Sequence, residues 1–527
     1  MGIPGRTIAN PAGLRRSANF RAHLLAVANI VPVAIALLAL TVFVIHAVQI
    51  AMYPWDWDPG EWGALDGAHR LWQAPSTLFP TNSVVPIPQT YGPLLPILLL
   101  PIALLTQNPY FYARLLMLAW TALAAIAAYR LVRRQASRTI ALLSVALVVA
   151  PFNQSFWYLL VRVDGPMIAL WLWSAVFALP PRLQRGAGVL SWRQAWLAGA
   201  LLACAAITKA PAVLFAGAII AGWMFVNPRS ALRLAAAMAL VTGSLVLILQ
   251  VLTGGGFLSI IALQRLHPYH ALQITWLIRE SLGFNWESIA LWSMALALSL
   301  ARRDGSWRDG AWLLWAAGPL VVPLLGKEGA VFNYLLPFFA GQAVLIGRLF
   351  GGREGTQSQV GLSNARQPWS RVALPRFASA AMVGLIALSH PFPLPNETDR
   401  LTAKTFFAFV RTRGAPILAA HPECAYREVG QPIEVEHTDF NPYFRAGLGG
   451  TREVVRKLAS QSYRLLIGNQ HDMTFTGAPY RPIGLCDLRF YYGLERFILL
   501  VPRDESQPGS LPSVPGARCR SLTDESR

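Results

Sequence analysis

Apolar runs separated by short, arginine-bearing loops dominate this sequence. Most runs approach the roughly 20 residues that a helix needs to cross a bilayer, although 311–325 and 376–390 are short for it. The composition agrees, because 54% of the residues are hydrophobic and only 13% are charged. We therefore predict a mainly α, polytopic helical membrane protein with about 11 transmembrane helices. The runs lie near residues 24–50, 111–131, 139–160, 165–180, 191–208, 210–226, 234–252, 286–301, 311–325, 330–347 and 376–390.

Two stretches near the N-terminus need separate treatment. The apolar stretch from about Leu24 to Met52 is far longer than the ~7–15 apolar residues of a cleavable signal peptide, so we predict that it is the first spanning helix. The run Gly92–Thr106 has 15 residues, contains three prolines and follows two more, Pro86 and Pro88. It is better explained as an interfacial or half-inserted helix than as a span.

The arginines determine the expected topology. If Gly92–Thr106 does not span, the arginines of the short loops collect on one side, which the positive-inside rule makes cytoplasmic. The N-terminus is then inside and the C-terminus outside. These loops also account for most of the net charge of +19, which in a soluble protein would suggest nucleic acid. We expect no nucleic-acid partner, and no nucleotide site, because no glycine-rich phosphate loop is present.

The predicted domain organisation follows from these assignments. In chain order we expect a cytoplasmic N-terminus, a transmembrane domain with a long first outer loop, a cytoplasmic linker, a last transmembrane helix, an extracytoplasmic α/β domain and a disordered tail. Their predicted bounds are 1–21, 22–350 (outer loop 51–110), 351–375, 376–390, 391–504 and 505–527. Cys424 and Cys486 could form a disulfide in an oxidising compartment, which would leave Cys519 unpaired in the tail.

Three carboxylates and three tryptophans follow directly after the first apolar run, in residues 55–62. Acidic side chains are costly to hold at a membrane boundary, so a cluster of them indicates a function. The tryptophans are typical of an interfacial aromatic belt. In the predicted topology other charged residues share this outer side, which indicates a polar, mixed-charge cavity there. The set comprises the acids Asp56, Asp58, Glu61, Asp66, Asp164, Glu280, Glu287 and Glu328 and the basic residues Arg162, Lys209, Arg265, His267, His270, Arg279 and Lys327.

The order of these motifs resembles the C-type (GT-C fold) polytopic glycosyltransferases, whose relatives include protein O-mannosyltransferases and aminoarabinose–lipid A transferases. The resemblance covers roughly residues 20–350 and makes 22–350 the expected catalytic domain. It implies a polyprenyl-phosphate sugar donor, an extracytoplasmic acceptor and a place in the cell envelope, in the bacterial inner membrane. The matching pieces are Asp58-Pro59-Gly60-Glu61, Leu65-Asp66-Gly67-Ala68, Tyr91-Gly92-Pro93-Leu94, Arg114-Leu115, Arg162-Val163-Asp164, Thr208-Lys209-Ala210-Pro211, Gly326-Lys327-Glu328-Gly329 and Asn333-Tyr334.

The chemistry of such a transfer assigns candidate roles. An acceptor hydroxyl must lose a proton to a carboxylate within hydrogen-bond reach, and Asp58 is the first candidate, before Glu61 and Asp164. Fixed cations must stabilise the leaving phosphate. The candidates for phosphate and donor binding are Lys209, Arg162, Lys327, Arg265 and Tyr91. Some relatives hold a divalent metal ion, for which Glu61 and His267 are the candidates here.

Structural explanations compete with each role. Asp58-Pro59-Gly60 is also a favourable turn sequence, Lys209 could snorkel to the interface, and Arg162 could simply pair with Asp164. His267 is also explained as an ordinary loop histidine. At the level of the whole chain the alternative function is a polytopic transporter or lipid-linked sugar flippase. A membrane-anchored binding protein is a third possibility, although about 11 helices are far more than an anchor requires.

Overall fold

In a computed structural model, the chain forms a helical bundle followed by a small α/β unit. The structure describes residues 11–58, 60–79, 91–149, 152–186, 188–258, 267–284, 286–302, 308–327, 330–351, 377, 379–381, 383–385, 394–419, 424–431, 449–469, 479–490, 493–505 and 514–522. Arg265 therefore lies outside the described residues. The predicted linker 351–375 also lies outside them, apart from residue 351.

The first 351 residues are helical wherever the chain has a long apolar run. The helices are α1 (Pro11–Ala51), α2 (Gly60–Gln73), α3 (Leu94–Leu105), α4 (Pro109–Arg133), α5 (Arg138–Val149), α6 (Phe152–Leu159), α7 (Asp164–Ala178), α8 (Trp192–Thr208), α9 (Ala212–Val226), α10 (Pro228–Leu252), α11 (Ala271–Phe284), α12 (Trp286–Arg302), α13 (Trp312–Val321) and α14 (Leu336–Gly351).

Three described helical stretches are long and apolar enough to cross a membrane: Ile30–Ala51, Pro109–Arg133 and Pro228–Leu252. Several others are apolar but shorter, among them α3, α5, α7 and α9. The prediction of a mainly helical polytopic membrane protein with a small C-terminal α/β domain is confirmed, whereas the number of about 11 spans stays a prediction.

Sequence signals set the ends of the long helices. The side chain of Asn108 accepts a hydrogen bond from the Phe111 amide, and Pro109 follows it at the first helical position of α4. Arg130 and Arg133 occupy the last turn of α4, where cations complement the helix dipole. Ser191 opens α8 with a capping box. These helix ends determine where charged residues lie at the two ends of the bundle.

The centre of the bundle is formed where α7 packs between α4 and α8. Along α7, the side chains of Ile168, Trp171 and Leu172 are fully buried. A helix that is apolar on all sides is expected at such a central position. Because α7 begins at Asp164, its buried course fixes that carboxylate at one end of the bundle.

Two apolar runs depart from a single straight helix. The run 139–160 is divided into α5 and α6. Between α13 and α14 the chain forms two 3₁₀ turns, Val322–Gly326 and Phe332–Leu335. Such turns are frequent at helix termini, and here they bring polar residues of this segment to the same end as Asp164.

The C-terminal unit is built on a five-stranded sheet in the order β1-β2-β4-β3-β5. Only β1 and β2 pair in parallel, and the other neighbours are antiparallel. The strands are β1 (Ile417–Ala419), β2 (Leu465–Asn469), β3 (Tyr480–Phe490), β4 (Gly493–Pro502) and β5 (Cys519–Ser521), and the helices are α15 (Glu397–Arg413), α16 (Cys424–Glu428) and α17 (Gly449–Ala459).

The structure corrects two predictions about the end of the chain. Residues 505–527 were expected to be disordered, but β5 pairs with β3 inside them. The register of that pairing places Cys519 directly opposite Cys486, and the two form a disulfide. The predicted Cys424–Cys486 bond, with Cys519 left unpaired, is therefore wrong. The strand pairing brings Cys519 to Cys486, and the sequence spacing alone could not reveal that register.

Candidate active site

The loop between α1 and α2 is folded around the carboxylate of Glu61. One oxygen, Oε2, accepts hydrogen bonds from the backbone amides of Trp57 (2.7 Å) and Asp58 (3.3 Å). The other, Oε1, accepts one from the amide of Val161 (3.1 Å), at the junction between α6 and α7. Glu61 is thus fully buried and joins two segments that lie 100 residues apart.

Arg114, one turn inside α4, completes this arrangement. Its guanidinium donates to both oxygens of Glu61, with Nε–Oε1 at 2.9 Å and Nη2–Oε2 at 2.6 Å. It also donates to the backbone carbonyls of Ile50 (2.8 Å), Tyr53 (2.5 Å) and Trp55 (2.7 Å). Planar bidentate pairing of this kind is the strongest geometry that arginine offers a carboxylate. The pair fastens the loop between α1 and α2 to α4.

Asp58 is held differently, with one oxygen engaged and the other without a described partner. Its Oδ2 accepts hydrogen bonds from Arg162 Nη1 and from the amide of Gly60 (3.2 Å). Within the described residues no donor contacts Oδ1. The turn explanation is therefore correct for Gly60, but Arg162 adds a partner from 104 residues away. Burial, with a contribution from Glu61, raises the pKa of Asp58 above its usual value although Arg162 lowers it.

Asp164 and Lys209 form a second buried ion pair beside Asp58. Lys209 Nζ donates to Asp164 Oδ1 at 2.6 Å, and Asn333 Nδ2 donates to Oδ2 at 3.2 Å. Lys209 ends α8 in an extended conformation, and its Nζ lies 4.3 Å from the ring centroid of Tyr334. Only 3% of its side chain is exposed, so snorkelling to the interface is excluded.

Arg162 joins the two pairs. Besides Asp58, its Nε lies 3.8 Å from Asp164 Oδ2, a distance at which the charges attract without a hydrogen bond. Charges of opposite sign thus alternate along Asp58, Arg162, Asp164 and Lys209. We refer to these four residues as the alternating charge row. Arg162 is its most exposed member at 16%.

Tyr91 is placed beside this row by a close backbone contact. Arg162 Nη2 donates to the Tyr91 hydroxyl at 3.3 Å, and Lys209 Nζ lies 5.8 Å from the ring centroid. The next residue, Gly92, packs so tightly on α8 that a Cβ there would lie 1.4 Å from the Ile207 carbonyl oxygen. Only glycine permits this approach, which explains the Tyr91-Gly92 motif.

The remaining candidates occupy other positions. Lys327 follows the first 3₁₀ turn, where its backbone bridges Tyr269.

The Glu61 carboxylate does not fit the predicted role of a metal ligand, because its lone pairs already accept five donors and a carboxylate offers about four sites. No group of three or more His, Cys, Asp or Glu in the described part of the chain could hold a metal ion.

The tryptophans of the first loop do not form an aromatic belt, and this expectation is wrong. Trp57 is fully buried, and the ring of Trp55 stacks on Phe407 of α15 at 5.6 Å. Arg427 of α16 donates to the Pro54 carbonyl at 3.3 Å and lies 5.3 Å above the Tyr110 ring centroid. The C-terminal unit therefore covers the loop that carries Asp58, and these aromatic residues pack against protein instead of lipid.

Sequence reasoning missed three contributors to this site. Arg114 and Asn333 were quoted only as parts of motifs, and neither was given a contact with Glu61 or Asp164. Tyr110 donates to Asp56 at 2.6 Å, which holds the third acid of the first loop. A buried arginine in the first turns of a spanning helix is the signal that could have identified Arg114, since such charges need a partner.

The chain forms a helical bundle with carboxylates and cations at one end, covered by a small α/β unit, and this fold is similar to that of solved C-type glycosyltransferases. The chain superposes on the crystal structure of ArnT from Cupriavidus metallidurans bound to undecaprenyl phosphate with a TM-score of 0.56 and 11% identity, covering 90% of this chain and 99% of that one. The apo structure of ArnT gives the same values. The predicted resemblance is confirmed, and this likeness shows a common fold.

A protein-family model and a second solved enzyme also match the chain. Residues 90–253 match the family model of the dolichyl-phosphate-mannose-protein mannosyltransferases. That stretch contains Tyr91, Arg114, Arg162, Asp164 and Lys209. The archaeal oligosaccharyltransferase AglB from Archaeoglobus fulgidus aligns with a TM-score of 0.45 and 13% identity, over 82% of this chain and 69% of that one. No curated protein sequence matches the chain.

Proposed function

We propose that this chain is a membrane glycosyltransferase that moves a hexosyl or pentosyl group from a polyprenyl-phosphate sugar to an extracytoplasmic acceptor, which is a glycan, a lipid or a protein. The observation that carries the proposal is the alternating charge row of Asp58, Arg162, Asp164 and Lys209, which lies at one end of a lipid-embedded bundle. The fold in common with ArnT, whose structure holds undecaprenyl phosphate, and the mannosyltransferase family match over residues 90–253 support it.

Asp58 is proposed as the general base. Its Oδ1 has no donor in the described structure, and burial raises the pKa of its carboxyl, which makes it a better proton acceptor than an exposed aspartate. Asp58 takes the proton of the acceptor hydroxyl while that oxygen attacks the sugar C1. The C1–O bond to phosphate breaks on the opposite face, and polyprenyl phosphate leaves with the bonding electrons.

Glu61 is proposed as a positioning residue, although it was the second candidate for the base. Both its oxygens are occupied by Arg114 and three backbone amides, one of which belongs to Asp58 itself. A carboxylate with five donors is a poor proton acceptor, because each donor stabilises its ionised form. Glu61 and Arg114 instead hold the loop in the geometry that presents Asp58.

Arg162 and Lys209 are proposed to stabilise the leaving phosphate. Arg162 is the more accessible of the two, and its fork can bind phosphate oxygens in pairs. Lys209 lies deeper, with Asp164 and Asn333 fixing it, so its charge is placed before the donor arrives. Tyr91 borders both cations. Lys327 and Arg265 stay proposals for the outer part of the donor site.

The same proposal sets the orientation of the protein. The arginine-rich loops would lie in the cytoplasm, the N-terminus with them, and the C-terminal unit would lie outside the plasma membrane of a bacterium. The donor would enter sideways from the bilayer, with its tail along apolar helices and its phosphate at headgroup depth. No soluble nucleotide is then required.

The test is glycan and lipid profiling of a deletion strain rescued with wild type, Asp58→Asn or Asp66→Asn. Asp66 is a matched control, since it is an acid of the same outer region that pairs only with Arg70, at 2.5 Å, among the described residues. We expect one glycan form to disappear on deletion and to return with wild type and Asp66→Asn alone. Restoration by Asp58→Asn would overturn the assignment of the base.

A transporter or flippase remains the competing function. Reconstituted vesicles that contain a polyprenyl-phosphate sugar on one leaflet separate the two. A transferase converts the donor to polyprenyl phosphate when acceptor is supplied, whereas a flippase moves intact donor between leaflets. Movement of intact donor by wild type, with no conversion by any acceptor fraction, would contradict the proposal.

A further inference from the structure

A second charged region lies at the opposite end of the bundle from Asp58. Helix α4 contacts the acidic loop through its first turns and is 25 residues long, so its other end is about 36 Å away. At that far end a cavity of ≈ 450 Å³ opens beside the last turn of α4 and the first turn of α8. We refer to it as the arginine groove, lined by Arg130, Arg133, Arg134, Phe177 and Gln194.

The arginine groove carries positive charge without a matching acid. Arg130 lies 4.9 Å above the Trp173 ring centroid, Arg133 donates to the Ala136 carbonyl at 2.8 Å, and Arg134 donates to a carbonyl of α7. In the described residues none of the three pairs with a carboxylate. Burial and the positive charges of Arg348 and Arg130 lower the pKa of Arg134. Arg348 is itself paired with Asp309 at 2.9 Å, so the unneutralised charge of the groove is that of Arg130, Arg133 and Arg134, and an anion would neutralise it.

An apolar wall continues from these cations. An adjoining cavity of ≈ 350 Å³ has Arg134 and Val176 in common with the groove and extends along Leu179, Leu190 and Trp223. The combined site thus offers guanidinium groups beside hydrocarbon, and Arg348, which also lines the second cavity, is already paired with Asp309. An amphipathic anion uses both parts, whereas a free inorganic anion would use only the first.

We propose that the arginine groove binds the phosphodiester headgroup of an anionic membrane phospholipid. Its position supports this occupant, because the end of a spanning helix lies at headgroup depth. Arginine pairs with phosphate oxygens through its planar fork, and basic pockets between spanning helices are suited to acidic lipid headgroups. The bound lipid would tie α4, α7 and α8 together at an end where the described residues of these three helices form no ion pair with one another.

The sugar donor is a less favourable occupant of the groove. Between the groove and Asp164, α7 carries the fully buried side chains of Ile168, Trp171 and Leu172, which fill the interior of the bundle. A donor phosphate held in the groove would therefore be separated from Asp58 by most of the bilayer thickness. A structural lipid requires no passage through this packed region.

The test is native mass spectrometry of the full-length protein titrated with phosphatidylglycerol and with phosphatidylcholine of identical acyl chains. The groove variant is Arg130→Gln/Arg133→Gln. The matched control is Arg185→Gln/Arg229→Gln, which removes equal charge from exposed arginines that do not line either cavity. Wild type should prefer phosphatidylglycerol, and each groove arginine should contribute about fivefold to that affinity.

Five results decide between the possibilities. The proposal is supported if the groove variant alone loses the phosphatidylglycerol preference. It is also supported if that preference returns in Arg130→Lys/Arg133→Lys, which keeps the charges and is the second test should the glutamine variant fold poorly. Equal loss in the control double variant would show general surface attraction and overturn it. Displacement of the lipid by millimolar inorganic phosphate would show a free-anion site. Preferential binding of polyprenyl phosphate would favour the flippase function instead.

Discussion

The buried pair of Glu61 and Arg114 is expected to make one of the largest single contributions to the stability of the site. Both side chains are at most 1% exposed, and Arg114 makes five hydrogen bonds. Arg114→Met would leave a buried carboxylate without its cation and three backbone carbonyls without their donor. Removal of one partner from a buried pair costs about 3–5 kcal/mol, and we expect that loss in the free energy of unfolding.

Unfolding of the purified protein in mixed micelles with SDS, followed by tryptophan fluorescence, measures this loss. Glu61→Gln should cost a comparable amount, and the double variant should cost less than the sum by about 2–3 kcal/mol, because neither charge is then left alone. The control pair is Asp66 and Arg70, which is partly exposed and should contribute about 1 kcal/mol or less. A loss below about 1 kcal/mol for Arg114→Met, or additive single variants, would refute the reasoning.

Three further predictions concern the rate of sugar transfer. The acid limb of the pH–rate profile should lie above the value of about 4 for a free aspartate, because the base must be ionised and burial raises the pKa of Asp58; Arg162→Met should move that limb further up, since Arg162 lowers this pKa. Gly92→Ala should reduce the rate at least tenfold, because its Cβ would lie 1.4 Å from a carbonyl oxygen of α8 and must displace the segment beside the site. Arg427→Gln should raise KM more than it lowers kcat, as it loosens the cover on the first loop without touching the acids.

Two of these predictions have a control variant within the same chain. Gly243→Ala, in a helix with open space around it, should leave the rate unchanged, and a comparable loss there would indicate a general effect of the substitution. Arg456→Gln removes a cation of the C-terminal unit that pairs only with Glu453 among the described residues, and should leave KM unchanged. An acid limb that does not move in Arg162→Met would separate Asp58 from the observed ionisation.

Local sequence signals were sufficient for the helical fold and for the side on which the acids gather. Apolar length predicts the spanning helices, and arginine placement predicts that Asp58, Asp164 and Lys209 lie at one end, where the structure brings them together. The break Thr208-Lys209-Ala210-Pro211 likewise predicts where α8 ends. These features depend on periodicity, capping and charge within a few residues.

The partners within the site could not be predicted in this way. Asp58 and Arg162 are separated by 104 residues, and Asp164 and Asn333 by 169. Such pairs arise from how helices pack, which single-sequence patterns do not contain. The pairing of Cys486 with Cys519 failed for the same reason, because it depends on the register of β5 against β3.

The most direct test of the central claim is the kcat of Asp58→Asn for transfer from a polyprenyl-phosphate sugar, measured in proteoliposomes beside wild type. Asparagine keeps the shape of the side chain and its acceptor oxygen but cannot take a proton. A general base contributes about 10²–10⁴-fold, so kcat should fall by that factor while KM for the donor changes little. A kcat within tenfold of wild type, in a variant that unfolds normally, would contradict the assignment of Asp58 as the base.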